Sequence, residues 1–356
     1  CFGKACYDGS TSLVRTFLKS GVDIRRETEL QCRNEEIFNT LNLELKSRKH
    51  RVKIENLKAL DAENLTQIGP PLQRVCEARE FSLGKGSMGT NVYVGIMEDG
   101  SFVAVKRMLR DSCEDFAENE NGILNLIETE HSPFIVKYRK FLIQSTFMYL
   151  MLDLCEETLN EHVESKSIQH LRRYGPGMIQ EILSGLEFLH GHNILHRDLK
   201  PLNVLVDITG RMRLADFGIS RVLNEDESTA HTYGKGTKYW MAPEVIEARN
   251  MKKKGRYKKK SDVHAAGMIA FFILAKGEHP FGTQLTQMTN ILEGRPLNLE
   301  NLEDLESQQF ISRLIHRNID DRPYAGEALE HSFFDQVENY EQLPPPNILL
   351  IVDDSN

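Results

Sequence analysis

Tryptophan is nearly missing from this sequence: one residue in 356. Cysteine is scarce as well, and the six that occur (Cys1, Cys6, Cys32, Cys76, Cys113 and Cys155) are scattered, with no CxxC pair. A zinc ribbon or a disulfide framework needs clustered thiols, so both are excluded, and a reducing compartment fits best. The twelve histidines show no HExxH spacing, so no structural metal is expected. Long apolar runs are lacking too. The longest, Met268 to Ala275, falls far short of the roughly 20 residues that cross a bilayer. No charged-then-apolar leader opens the chain. The expected setting is cytoplasmic, with no membrane contact by this chain.

What is present is ordinary for a globular protein: 40% hydrophobic and 27% charged residues. Lys plus Arg is 44 and Asp plus Glu is 52, a net charge of −8, which argues against a dedicated nucleic-acid coat. One stretch departs from the average. Lys252 to Lys260 holds seven Lys or Arg, so the rest of a chain of net −8 carries about −15. Such runs are usually solvated loops, and this one is also a candidate contact for an acidic partner or RNA. The first residue is Cys rather than Met, which suggests a fragment.

Four segments are expected. Residues 1–30 carry an apolar helical stripe, Leu13, Val14, Phe17 and Leu18, closed by Gly21. The pattern resembles the second half of an ankyrin repeat, which would be the end of an array; the alternative is a lone amphipathic helix. Residues 31–76 read as a linker with some helix, ending near Gly69-Pro70-Pro71. Residues 77–335 change texture. Short β-rich segments (91–96, 101–106, 147–152) precede helical patterns such as Met178, Ile179, Ile182, Leu183, Leu186 and Leu189. A small sheet lobe followed by a larger helical lobe, an α+β fold, is the expected architecture. Residues 336–356 form a tail.

The chemistry lies in the third segment. Gly84-Lys85-Gly86-Ser87-Met88-Gly89 is a G-x-G-x-x-G loop, which lets a backbone turn approach phosphates. It precedes a strand rather than a helix, which counts against a dinucleotide fold. Lys106 follows on the next strand, where an ammonium can reach those phosphates. His196-Arg197-Asp198-Leu199-Lys200-Pro201-Leu202-Asn203 places a carboxylate, an ammonium and an amide close together. Asp198 can accept a proton from an attacking hydroxyl, Lys200 can neutralise a transferring phosphoryl group, and Asn203 can hold a metal ion. Asp216-Phe217-Gly218 adds a second metal-binding carboxylate, and Met241-Ala242-Pro243-Glu244 comes after it.

In this order the motifs resemble a eukaryotic protein kinase over about residues 81–334. The resemblance implies a two-lobed kinase fold binding ATP and Mg²⁺. The implied nucleotide contacts are Leu83, Gly84, Gly86, Gly89, Val92, Ala104 and Lys106, with Leu152 as gatekeeper and Asp153, Leu154 and Cys155 as hinge. Glu120 is the implied ion-pair partner of Lys106, with Glu118 second, on a helix that Gly122 weakens by roughly 1 kcal/mol. Asn203 and Asp216 are the implied metal ligands, and Asp198 and Lys200 the catalytic pair. Asp262 is expected to anchor the catalytic loop, and Arg322 to pair with Glu244. The DLKPxN form, with Gly236-Thr237, favours Ser/Thr acceptors. Ser228, Thr229, Thr232 and Tyr233 are candidate phosphorylation sites, with Arg197 as cationic partner.

Finer features narrow the resemblance: the spacing of GKGSMGTNVYVG, LDLCEETLNEHV, GEHPFG, DRPYA and HSFF. They are similar to the inositol-requiring kinase/endoribonuclease family of the unfolded protein response, and to ribonuclease L, which carries ankyrin repeats in front. Too few residues follow Phe334 for the family's ribonuclease domain, so no nuclease residue is carried over. The resulting expectation is a Ser/Thr kinase with protein substrates, self-associating as a dimer and autophosphorylating in a stress response. Its rival is a nucleotide-sensing dimerisation module with little phosphotransfer.

Overall fold

A computed structural model describes residues 49–86, 89–127, 132–223, 230–232, 236–251 and 255–335, with backbone alone at 230–232 and 255–256. The ankyrin-like stretch and the tail lie outside the described residues.

The first described element corrects the linker expectation. Helix α1 (Arg51–Ala59) buries Ile54 and Leu57, three residues apart on one side, and strand β1 (Leu72–Val75) joins the sheet. Residues 49–76 therefore belong to the folded domain. Some helix is expected in this stretch, but the basic residues around Ile54 and Leu57 hide that its apolar face is buried against the sheet.

Strands β2 (Ser82–Lys85), β3 (Asn91–Met97), β4 (Phe102–Leu109), β5 (Tyr138–Ile143) and β6 (Phe147–Asp153) complete an antiparallel sheet in the order β1-β3-β4-β6-β5, with β2 also paired to β3. Its two faces separate by the alternation of strand side chains. Tyr93, Met97, Val103, Val105, Tyr149 and Met151 pack on one face. Val92, Val94 and Ile96 of β3 lie opposite Lys106, Ala104 and Phe102 of β4 on the other. Helix α2 (Arg110–Leu126) runs on directly from β4 and buries Cys113, Ala117, Glu120, Ile123 and Leu124 at helical spacing.

The larger lobe begins at β7 (Glu157–Thr158) and α3 (Leu159–Ser165). A capping box between Thr158 and Glu161 starts that helix. Helix α4 (Ile168–Gly191) packs on α6 (Lys259–Leu274), which is buried all round from Ser261 to Leu274 and forms the lobe's axis. Gly267 lets α8 (Leu305–Leu314) come close: a Cβ there would lie 2.6 Å from that of Leu314. Strands β8 (Ile194–Leu195), β9 (Val204–Val206), β10 (Met212–Leu214) and β11 (Arg221–Val222) form small sheets that present the loops between them to the sheet lobe. Strand β12 (Ala230–Thr232) pairs with β13 (Gly255–Tyr257), and α5 (Pro243–Asn250), α7 (Gln287–Glu293) and α9 (Ala325–Leu329) complete the lobe.

Candidate active site

A cleft of about 580 Å³ opens between the lobes, a size suited to a small organic ligand. Leu83, Gly84, Gly86, Val92, Ala104, Lys106, Leu152, Asp153 and Cys155 line it from the sheet side and hinge, and Lys200, Asn203 and Asp216 from below. The structure thus brings together every expected nucleotide contact except Gly89, which sits at the end of the loop with φ 77°, a conformation that favours glycine.

Lys106 is the cationic centre. Its Nζ donates to Glu120 Oε2 at 2.7 Å and to Asp216 Oδ1 at 2.8 Å. Burial works against its charge, but the two carboxylates outweigh burial and hold its pKa above the ordinary lysine value. Lys106 in turn holds the Asp216 carboxyl below its usual range, against the effect of burial. Burial raises Glu120, with Lys106 pulling it back. Glu120, not Glu118, makes this pair. Its Oε1 also accepts the Phe217 N–H at 3.3 Å.

Asp198 is the anionic centre. Its carboxylate accepts from Lys200 Nζ (2.6 Å), Asn203 Nδ2 (3.0 Å), the Thr237 N–H (2.8 Å) and the Thr237 hydroxyl (2.7 Å). Lys200 also donates to the Thr237 oxygen at 2.7 Å. Gly236 makes this junction possible: its φ is 131°, and a Cβ would sit 2.8 Å from the Arg197 carbonyl.

The loop carrying Asp198 is held from beneath. Asp262 accepts from the N–H groups of His196 and Arg197 (both 2.9 Å), from His190 Nε2 (3.0 Å) and from the Tyr257 hydroxyl (2.7 Å). Burial disfavours that carboxylate, yet the His190 hydrogen bond and the other partners keep its pKa below the usual value. These bonds fix Arg197 at φ 69°. Arg322, 1% exposed, donates to Glu244 twice at 2.9 Å, and the Ser261 hydroxyl adds a bond at 2.7 Å.

Two contributors carried no legible sequence signal. Asn119 Nδ2 lies 3.0–3.2 Å from the carbonyls of Phe217, Gly218 and Ser220, joining α2 to the start of the segment after Asp216. Tyr257 reaches Asp262 from inside the basic run. The described lysines of that run are engaged within the domain. Lys258 faces Asp320, Lys259 donates to Asn193 Oδ1, and Lys260 donates to the Asp320 carbonyl and lies over Tyr324. Residues 252–254 lie outside the described residues. The same holds for Ser228, Thr229 and Tyr233, and for the side chain of Thr232.

Comparison with known proteins follows this geometry. The protein kinase domain family matches residues 78–334. This chain belongs to the protein kinase family. The kinase is 32% identical over 286 residues to the human serine/threonine-protein kinase/endoribonuclease IRE2, covering 77% of this chain and 30% of that protein. It is 34% identical over 270 residues to ire-1 of Caenorhabditis elegans, a serine/threonine-protein kinase/endoribonuclease, covering 71% and 26%. It is also 32% identical over 260 residues to mitogen-activated protein kinase kinase kinase 1 of Arabidopsis thaliana, covering 70% and 41%. The kinase thus spans well under half the length of each of these relatives. The names of the human and nematode relatives print a serine/threonine-protein kinase; for this chain, membership of the protein kinase family implies ATP and a divalent metal ion. No helix among its described residues is long and apolar enough to cross a membrane.

The residues fit such ligands. Asn203 and Asp216 offer oxygen donors, which suit a hard divalent cation shared with phosphates. Lys106 lies beside Asp216, where a phosphate would neutralise it.

Proposed function

We propose that this kinase transfers the γ-phosphoryl group of ATP to Ser or Thr hydroxyls of proteins, its own chain among them. The observation that carries this reading is the paired arrangement of Lys106–Glu120–Asp216 above the Asp198–Lys200–Thr237 cluster. Lys106, braced by Glu120, would position the α- and β-phosphates. Asn203 and Asp216 would hold magnesium, which when bound neutralises charge on the phosphates. Asp198 would orient the acceptor hydroxyl and take its proton as the oxygen–phosphorus bond forms and ADP leaves. Lys200 would offset charge on the moving phosphoryl group. The Thr237 hydroxyl donates to Asp198 at 2.7 Å, the kind of contact an acceptor hydroxyl needs there.

In the same reading a phosphate on Ser228, Thr229 or Thr232 pairs with Arg197 and orders the segment. The acceptor copy is supplied by a dimer, in a stress-response setting like that of the kinase/endoribonuclease relatives.

The test is radiolabelled ATP incorporation by wild type and Asp198→Asn. A loss of roughly 10²- to 10⁴-fold in Asp198→Asn, with nucleotide still bound, is expected. Equal incorporation by both proteins would sink the catalytic assignment. Nucleotide binding with no incorporation by wild type would favour a nucleotide-sensing module.

A further inference from the structure

The cleft has a wall that the kinase motifs do not supply. Lys49, His50 and Lys53 line it beside the glycine-rich strand and the hinge. All three precede the region matched to the family, which begins at residue 78.

On the sheet side, this segment extends the ceiling of the cleft. Ile54 and Leu57 are buried against Phe81, Val94 and Ile96. Alternation along β3 puts Val94 and Ile96 on the face of Val92, which looks into the cleft. Lys53 Nζ donates to the Ser82 carbonyl at the start of β2. Arg74 donates to the carbonyls of Leu57 and Leu60, satisfying groups that a helix end leaves unpaired.

On the other side it grips the hinge and the larger lobe. His50 Nε2 donates to the Cys155 carbonyl at 3.2 Å, and the Lys49 N–H donates to Glu156 Oε2 at 2.7 Å. The Lys49 ammonium lies 3.1 Å from Glu161 and 3.6 Å from Glu157, where α3 begins. Three residues within one stretch of five, Lys49, His50 and Lys53, therefore touch β2, the hinge and α3, all within one compact unit. A change in the angle between the lobes must stretch or break some of these contacts.

We propose that residues 49–60 form an interlobe strap that completes the hinge end of the nucleotide cleft and couples nucleotide binding to the chain in front of it. The proposal rests on the nucleotide reading above. A nucleotide that prefers the closed arrangement favours the docked strap, and by linkage the docked strap favours the nucleotide to the same degree. A partner or modification acting on the residues before Lys49 then changes nucleotide affinity without touching the motifs.

The experiment is calorimetric titration of the full chain with ADP and magnesium. Wild type is compared with Lys49→Ala/Lys53→Ala, His50→Leu and His50→Gln. The double lysine variant and His50→Leu are expected to bind about 5- to 10-fold more weakly. His50→Gln keeps a donor for the Cys155 carbonyl and is expected within about twofold of wild type. Should His50→Leu fail to fold, the lysine pair carries the test, because the Lys49 side chain is 40% exposed. Hydrogen exchange supplies a readout that a merely structural role does not move: ADP slows exchange across α1 in wild type and not in the lysine variant. Equal affinities in wild type and the lysine variant, or α1 exchange indifferent to ADP, overturn the strap and leave the nucleotide reading standing. No binding by wild type overturns both.

Discussion

At the scale of single residues, the Lys106–Glu120 pair is where charge is most costly to disturb. Glu120 is 1% exposed, so removing its partner strands a carboxylate in the interior. Lys106→Met is expected to destabilise the protein by about 3 kcal/mol, and adding Glu120→Gln to restore a good part of that. Chemical denaturation of both variants checks it; a Lys106→Met protein as stable as wild type counts against the pairing. His279 makes a second prediction. Its Nε2–H donates to the Tyr239 carbonyl in either charge state, but its Nδ1 accepts the Phe281 N–H, a bond that needs the neutral ring. Burial pushes its pKa down to about 4. In the unfolded chain the value is about 6.5, so between the two the unfolded state binds a proton that the folded state does not. The stability from neutral His279 is complete above about pH 6.5 and is lost as pH falls toward 4, up to about 3 kcal/mol. Burial holds His196 and His264 low as well, so the measurement is the difference between wild type and His279→Gln across that window. The variant should show the shallower acid slope.

At the scale of elements, two helices carry distinct duties. Helix α6 is the axis of the larger lobe, and Gly267 is the point of closest approach to α8. Gly267→Ala forces the Leu314 and Ile315 backbone region outward and is expected to cost roughly 1–3 kcal/mol. Unchanged thermal stability in that variant would contradict the close packing. Helix α2 is different, because it holds few core residues but joins the reactive groups. Asn119→Ala removes a donor from three carbonyls after Asp216. Its expected mark is a stability loss of only about 1 kcal/mol together with faster hydrogen exchange at 217–220. The opposite pattern, a large stability loss with unchanged exchange, would make Asn119 an ordinary packing residue.

At the scale of the whole molecule, the two lobes meet at the cleft and along the hinge, so ligand binding should register as global stability. ADP with magnesium at about 100 times its Kd is expected to add about 2.7 kcal/mol, with Asp216→Asn abolishing the magnesium-dependent part. A thermal shift identical with and without magnesium would argue against Asp216 as a ligand. Much of this organisation was legible beforehand. Asp198, Lys200, Asn203 and Asp216 announce themselves because they sit at fixed short spacings on one loop or two. Lys106 and Glu120 were harder, since their meeting depends on a helix folding back over a sheet. Asn119, Tyr257 and the segment 49–60 were not legible. Asn119 works through backbone carbonyls, which leave no trace in side-chain pattern. Tyr257 is hidden within a charge run. Of the apolar residues in 49–60 the helix buries only Ile54 and Leu57, while Val52 is exposed among lysines and arginines, so only the tertiary contact reveals which face is used.

The single tryptophan, Trp240, packs edge-on against His279 at 5.2 Å and against Phe272 at 5.9 Å, three residues past Thr237. Nothing else in the chain emits as an indole. Its fluorescence is therefore a built-in optical probe of one place, the join between the Asp198 contact and the larger lobe. An imidazolium ring at that distance quenches indole emission, so acidification should dim the native protein before it unfolds, and His279→Gln should stay bright.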